Sequence, residues 1–531
     1  MREQIREAVW GQTNVAFEQS LNFCIRQIRI ALDDDAEHPA FVETVPRLGY
    51  RFLAAIQRSA DETRAADQPR LRICVLPIRD SAPGTEDYFA LGLTEDLIAA
   101  LCRLEPNRLR VVAGPRLGAD DVTQPDMRRL QQELNLDYLL EGWVRRSDDR
   151  VRVCAQLHDL EDQSVLWCEI YNGKAGDLPG LHDGVVRRVG QSLALELSPS
   201  ATGGSRKYGQ SPAAYESYLK GRYLWHKMTP QGMKSALRSF TEALELDPKC
   251  APAYSGLADC YAQMGSTRLG MMKPLEALAK ATLLLERAVG MDETLAEAHC
   301  TLGLLKSWYE MDWKGADVQF QQALKLEPQN LTALLWRSLL LSGTGRHAES
   351  IESTQRALEC DPASPIVNTY VALAYANSGQ FDIALRQFSQ AIELDPHYYR
   401  PHMFLGLTLI KVHRETEAAS ALEKALTLNP ENLEALAYMG QAKAVLGDRD
   451  GAIEAIEKLR TTQDHYEPAL LVASVFAALG DANNMFKYLR IAYEQKCAPM
   501  YLVALRTTSF WHHRSDPRYV AYLGLLGLPQ A

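Results

Sequence analysis

Apolar positions in the carboxy-terminal half of this chain recur with two periods at once, a helical one within each segment and a longer one between segments. Pro328, Pro362, Pro396 and Pro430 stand 34 residues apart, each behind a stretch that ends in Glu327, Asp361, Asp395 or Asn429. The same slot returns at Pro248, Glu293 and Asp464. Five residues before each slot stand Ala243, Ala288, Ala323, Ala357, Ala391, Ala425 and Leu459. Eight before it are Phe240, Leu285, Phe320, Thr354, Phe388, Leu422 and Ile456, and twelve before it Ala236, Ala281, Ala316, Ser350, Ala384, Ala418 and Ala452. These offsets share one helical face, so the pattern predicts a helix with a large side chain between two small ones, pressed closely on a partner helix. Proline then ends that helix because it cannot donate the next backbone bond. The count gives about seven two-helix units over residues 212–495, with an 11-residue insertion between Gly265 and Lys280 and a degenerate last unit.

The amino-terminal pattern is different. Ile5, Val9 and Trp10 space as a short helix that Gly11 interrupts, and Phe17, Leu21, Cys24, Ile25, Ile28 and Leu32 form a longer apolar stripe. Gln19, Asn22, Arg26 and Arg29 occupy the opposite face of that second helix, which ends at Asp33, Asp34 and Asp35. Residues 41–53 alternate apolar and polar around a turn between Pro46 and Gly49, the signature of a hairpin. Residues 57–70 lack apolar periodicity and read as a linker. Beyond them come a buried strand over 71–76, a helix face from Phe89 to Leu104 and a short strand over 109–112. A helix over 127–136, a hairpin over 138–146 and 151–159, a strand with Trp167 and a closing helix over 178–197 follow, so the middle is α/β.

Three resemblances follow from these residues. The alanine, aromatic and proline slots, with Gly303 or Gly406 and Tyr261 or Tyr375 in the first helices, resemble the tetratricopeptide repeat. That resemblance implies a solenoid whose first helices line a concave partner-binding surface. Peptide-clamping members carry Lys and Asn at the fifth and ninth residues of a repeat. Here those slots hold Ser255, Thr369, Met403 and Ala437, then Asp259, Leu373, Leu407 and Gln441, so no carboxylate clamp is expected. Helix, helix and the hairpin TVPRLGYRF resemble the OmpR/PhoB-type winged helix, whose opening sheet and first helix would lie ahead of Met1. By that resemblance the stretch from Phe17 to Asp33 is the recognition helix, and Arg26 and Arg29, beside Gln19 and Asn22, meet bases or phosphates of double-stranded DNA. Arg47 at the wing tip would reach the minor groove, and Thr44, Tyr50 and Arg51 would contact or support the DNA backbone. The run from LPIRDSAPGTEDYFALGLTEDLI to SVLWCEIY resembles the TolB amino-terminal-like domain, which brings no defined chemistry with it.

The organisation expected is therefore multidomain: a partial winged helix over 1–56, a linker over 57–70 and a TolB-like α/β domain over 71–198. A second linker over 199–211, an all-α tetratricopeptide solenoid over 212–495 and carboxy-terminal capping helices over 496–531 complete it. Composition supports a globular chain: of 531 residues, 47% are apolar and 23% charged. The net charge of -10 excludes a chain that coats nucleic acid along its whole length and leaves room for one local DNA site. Ten scattered cysteines without a CxxC pair suit a reducing compartment, and no run approaches a membrane span, so the expected place is the cytoplasm.

No catalytic, cofactor or metal constellation emerges. Glu86 with Asp87 and Glu95 with Asp96 read as solvated surface, Asp33 to Asp35 as a turn, and His512 with His513 lacks metal-ligand partners. GxxxxGK[ST], GxGxxG and GxSxG do not occur. The expectation is a non-enzymatic DNA-binding transcriptional regulator with a partner-binding or sensing arm, taking a protein or small ligand on the solenoid, with self-association left open. The alternative is a repeat scaffold with a vestigial, non-binding head, because residues 1–57 hold six Arg against eight Asp or Glu.

Overall fold

The computed structural model describes residues 42–45, 49–52, 71–80, 88–104, 108–114, 127–147, 150–174, 178–193, 211–461, 468–497 and 499–529. They belong to two compact units, Met1–Pro69 and Arg70–Ala531. In the first, β1 (Val42–Val45) and β2 (Gly49–Phe52) pair antiparallel with Thr44 opposite Tyr50 and Glu43 opposite Arg51. The expected hairpin is therefore present.

The second unit opens with a mixed sheet. Strands β3 (Leu71–Val75), β4 (Arg79–Asp80), β5 (Leu109–Ala113), β6 (Tyr138–Ser147), β7 (Arg150–Asp159) and β8 (Val165–Lys174) run in the order β5-β3-β6-β7-β8, with β4 beside β6. Pairs β3 with β5 and β3 with β6 are parallel, whereas β6, β7 and β8 form an antiparallel meander. Helix α1 (Tyr88–Leu104) makes the crossover between β3 and β5, and its Leu93, Leu97 and Leu101 bury against Ile73, Val111 and Leu140. Helix α3 (Leu178–Ser192) adds Val185, Val186 and Val189 to the same core. Helix α2 (Met127–Leu134) covers Cys74, Leu76, Val112 and Leu139 on the other face and stops where Asn135 takes φ 50°.

The rest of the unit is helical. First and second helices alternate as α4 (Pro212–His226) and α5 (Pro230–Leu246), α6 (Ala251–Met264) and α7 (Pro274–Met291), α8 (Ala296–Leu305) and α9 (Trp313–Leu326), then α10 (Leu331–Gly343) and α11 (His347–Cys360). They continue as α12 (Pro365–Ser378) and α13 (Phe381–Leu394), α14 (Tyr399–Lys411) and α15 (Glu415–Leu428), α16 (Leu433–Val445) and α17 (Arg449–Thr461), and α18 (Ala469–Ala478) and α19 (Ala482–Glu494). These are eight hairpins among the described residues, where the slot pattern gave about seven. The seven slots, the last at Asp464, close the first seven hairpins, and the additional one, α18 with α19, follows them without a slot of its own.

Packing follows the slots. Phe240, Phe320, Phe388 and Leu422 are at most 1% exposed, and the small residues four before and three after each are fully buried. Burying one such side chain stabilises by about 1.5–3 kcal/mol. The opposing first helix makes room with glycine: a Cβ on Gly303 would sit 2.7 Å from Phe320, and one on Gly406 2.5 Å from Leu422. Just ahead of the slot, Asp247, Glu327 and Asp395 have extended backbone, as residues before proline prefer, and their N–H, like those of Asp361 and Asn429, still closes the last helical turn. Between the two helices of a unit the chain turns through a left-handed residue at Met311, Gly345, Gly379, His413, Gly447 and Gly480.

Two expected boundaries change. The sheet and the first repeats share one core, which runs from Ile73 through Leu193 and Tyr215 to Leu269, so residues 71–198 and the start of the solenoid form one body. The last residue of the expected 199–211 linker, Ser211, is already the cap of α4, its hydroxyl accepting from Ala214 N at 3.4 Å. Residues 496–531 do not extend the stack either. They contain the 3-10 turns Met500–Ala504 and Ser509–His513 and one helix, α20 (Pro517–Leu526), and they fold back across the first helices. Pro499 and Pro517 keep this stretch from continuing the long-helix pattern.

Candidate functional site

Two surfaces bear on function. In the amino-terminal unit the structure places Thr44, Tyr50 and Arg51 on the hairpin, with Thr44 and Tyr50 directly opposed. Gln19, Asn22, Arg26, Arg29 and Arg47 lie outside the described residues, as do the expected helix over 17–33 and the acidic cluster at Asp33 to Asp35.

The second surface is the inner face of the first helices. An aromatic ladder at the 34-residue period runs along it: Trp336 on α10, Tyr370 on α12, Phe404 on α14 and Tyr438 on α16. Trp336 lies 6.4 Å, centroid to centroid, from both Trp225 of α4 and Trp308. Rings of the first, third and fourth hairpins thus meet on the inner face. All eight clamp-slot residues are buried, from Ser255 and Asp259 on α6 to Ala437 and Gln441 on α16.

Much of that cover comes from the chain's own end. Tyr501 packs on Gly343, where a Cβ would be 2.7 Å from its own Cβ. Thr507 Oγ1 donates to Asn377 Oδ1 at 2.9 Å, and Ser509 Oγ donates to Gln441 Oε1 at 2.6 Å. Lys411 Nζ lies 3.0 Å from His512 Nε2, and His513 Nε2 lies 3.0 Å from the Ala477 carbonyl. Burial, followed by the Lys411 charge, lowers His512 to about 4, so near neutral pH the imidazole accepts from the ammonium. Gly343, Asn377 and Lys411 are 34 residues apart. The segment therefore reads the same position of three successive repeats, as a bound partner would. Further along, Trp313 Nε1 donates to the Leu526 carbonyl at 2.7 Å and fixes α20.

Comparison with known proteins bears on both surfaces. Residues 1–52 match the family model described as Transcriptional regulatory protein, C terminal. Residues 312–365 and 372–411 match a Tetratricopeptide repeat model, and residues 399–432 match a second one. The chain joins an OmpR/PhoB-type winged-helix segment to tetratricopeptide repeats. Among curated relatives, a Rhizobium meliloti (strain 1021) protein that carries an adenylate cyclase name is 30% identical over 238 residues, 44% of this chain and 40% of that one. Transcriptional regulator HilA of Salmonella paratyphi A is 22% identical over 371 residues, 67% of this chain and 62% of that one. The chain thus spans less than two thirds of either relative. Among solved structures, YrrB, a TPR protein with an unusual peptide-binding site, is 24% identical, with a TM-score of 0.26 over 37% of this chain and 95% of that one.

Several contacts between the sheet and the repeats were not legible in the sequence. Glu95 and Asp96 are not free surface. Glu95 Oε2 lies 3.7 Å from His226 Nε2, and Asp96 accepts from the Tyr215 hydroxyl, so both tie α1 of the sheet to α4. Arg110 of β5 likewise meets Glu359 of α11 at 2.7 Å. Glu86 and Asp87 lie outside the described residues. Among the described residues the cysteines form no disulfide, and burial pushes Cys74 up to about 12, which suits an inert thiol. Among the described residues no group of three or more His, Cys, Asp or Glu could hold a metal, and no helix is long and apolar enough to cross a membrane.

Proposed function

We propose that this protein is a DNA-binding transcriptional regulator in which the winged-helix segment reads DNA and the tetratricopeptide solenoid is the sensing or partner-binding arm. The observation that carries the reading is the match of residues 1–52 to the transcriptional-regulator family model, upstream of the repeats. Arg26, Arg29 and Arg47 are the residues proposed for phosphate and base contacts, with Gln19, Asn22, Thr44, Tyr50 and Arg51 completing the surface. The activity in the name of the Rhizobium meliloti relative is not carried over, and the chain is proposed to be non-enzymatic and to act in the cytoplasm. Residues 71–198 are proposed to be TolB-like, and the core they share with the first repeats supports a role in passing a change in the solenoid to the rest of the chain.

A salt titration of DNA binding tests this. The logarithm of the association constant should fall linearly with the logarithm of salt, and Arg26→Ala with Arg47→Ala should flatten the slope by roughly 1.8, about 0.9 per phosphate contact. Absence of binding above background at low salt would favour the scaffold reading, in which the head is vestigial and the protein acts only through protein contacts.

A further inference from the structure

The insertion behind Gly265 becomes the turn between α6 and α7, and it points inward. Ser266 and Thr267 are fully buried, and the Arg268 side chain is only 10% exposed. Its guanidinium lies 5.9 Å from the Trp308 ring centroid and 3.7 Å from the carboxylate of Glu434, on the far side of the bore in α16. Glu434 stands one 34-residue period after Arg400 of α14. Arg400 is 5% exposed, with its guanidinium 5.7 Å from the Tyr370 centroid and 5.4 Å from that of Phe404. Arg400 and Glu434 thus hold the same position in successive repeats, and Arg268 reaches that position from the insertion.

The cluster is short of acceptors. A guanidinium does not deprotonate in a protein and presents five N–H donors. Arg268 lies 3.7 Å from the Glu434 carboxylate, beyond hydrogen-bond reach, and Nε of both Arg268 and Arg400 has no hydrogen-bond partner among the described residues. Aromatic faces offset part of the cost of a buried cation, but they supply no directed acceptor. What would complete the site is a group with two or more oxygens and a negative charge, matched to the forked donors.

We propose that the solenoid bore holds a binding site for a small oxyanion, a carboxylate or phosphate group, gripped between Arg268 and Arg400, with the aromatic ladder contacting the body of the ligand. Tyr501 of the folded-back segment is buried against Gly343 of α10 on the same inner face, so a ligand enters as that segment shifts. The site gives the arm a ligand class and does not depend on DNA binding.

The test uses the full chain, with inorganic phosphate and benzoate added separately against chloride at constant ionic strength. Thermal unfolding should show a saturable rise of about 2–4 °C with at least one of them once it exceeds its dissociation constant several-fold. A response to phosphate alone marks a tetrahedral ligand, and a response to benzoate alone a planar carboxylate. Tyr501→Ala should lower the concentration at half-effect. Arg400→Met should abolish the response, and Arg400→Lys, which keeps the charge and loses the fork, should weaken it by about tenfold and carries the test if the Met variant does not fold. No saturable response in either the wild type or Tyr501→Ala, or an undiminished response in the Arg400 variants, overturns the proposal.

Discussion

Replacing Gly406 by alanine should destabilise the solenoid, against the sign that helix propensity alone gives. Alanine in a helix interior is favoured over glycine by about 1 kcal/mol. At Gly406, however, the new Cβ would lie 2.5 Å from Leu422 Cγ and 3.1 Å from both Leu422 Cδ2 and the Ala418 carbonyl oxygen. Carbon atoms pack best at about 3.5–4.0 Å, and Leu422 is fully buried with nowhere to withdraw. Overpacking of this kind costs about 1–3 kcal/mol, and a contact this short belongs at the upper end, so the net loss is about 2 kcal/mol after subtracting the propensity gain of about 1. Gly290 provides the control: it is exposed in the last turn of α7 and a Cβ there meets nothing within 4 Å. Gly290→Ala should gain about 0.5–1 kcal/mol. Urea unfolding of the full chain, followed by far-ultraviolet circular dichroism, should move the two midpoints in opposite directions. In a Leu422→Ala background, Gly406→Ala should become neutral or stabilising. A Gly406→Ala protein as stable as the wild type, or a loss that persists without Leu422, would refute the packing account.

Other consequences are as direct. Burial raises the Asp317 pKa, but hydrogen bonds from Arg337 and Arg346 at 2.6 and 2.5 Å outweigh it, so the carboxyl titrates below its ordinary value. The stability it contributes is present above the unfolded pKa of about 3.9 and is lost as pH falls through the lower folded value. Asp317→Asn should cost about 2 kcal/mol at neutral pH and flatten that acid limb in a pH series of thermal melts. Asp259 behaves oppositely: burial, opposed by the Thr301 hydrogen bond and Arg222, raises it to about 7. Stability should therefore decline as pH rises from about 4 toward 7, and Asp259→Asn should remove that decline in the same measurement. Truncation after Cys497 uncovers the inner ends of α10, α12 and α16, so binding of an apolar fluorescent dye should rise and the melting midpoint should fall. Unchanged dye binding would show that the segment is not the cover. His413 holds φ 58° where its repeat equivalents are Gly379 and Gly447. His413→Gly should therefore gain about 1 kcal/mol, read as a raised midpoint of unfolding.

The sequence by itself determined the local and periodic features. The 34-residue spacing of small, large and small positions is a one-dimensional signal because each repeat packs chiefly on its neighbours, so pattern and packing coincide at Phe240, Phe320 and Phe388. Alternation around Pro46 and Gly49 fixed the hairpin for the same local reason, and the left-handed glycines at 345, 379 and 447 were a second periodic signal open to the same reading. What the tertiary structure decided lies in contacts between residues far apart in the chain. Arg268 meets Glu434 across the bore, Thr507 reaches Asn377, and Asp96 of the sheet is held by Tyr215 of the first repeat. No spacing rule connects such pairs, because their meeting depends on the accumulated rotation of the intervening repeats. The insertion behind Gly265 was visible as a length anomaly, but its inward direction, and the charge it buries, exist only once the superhelix closes around it.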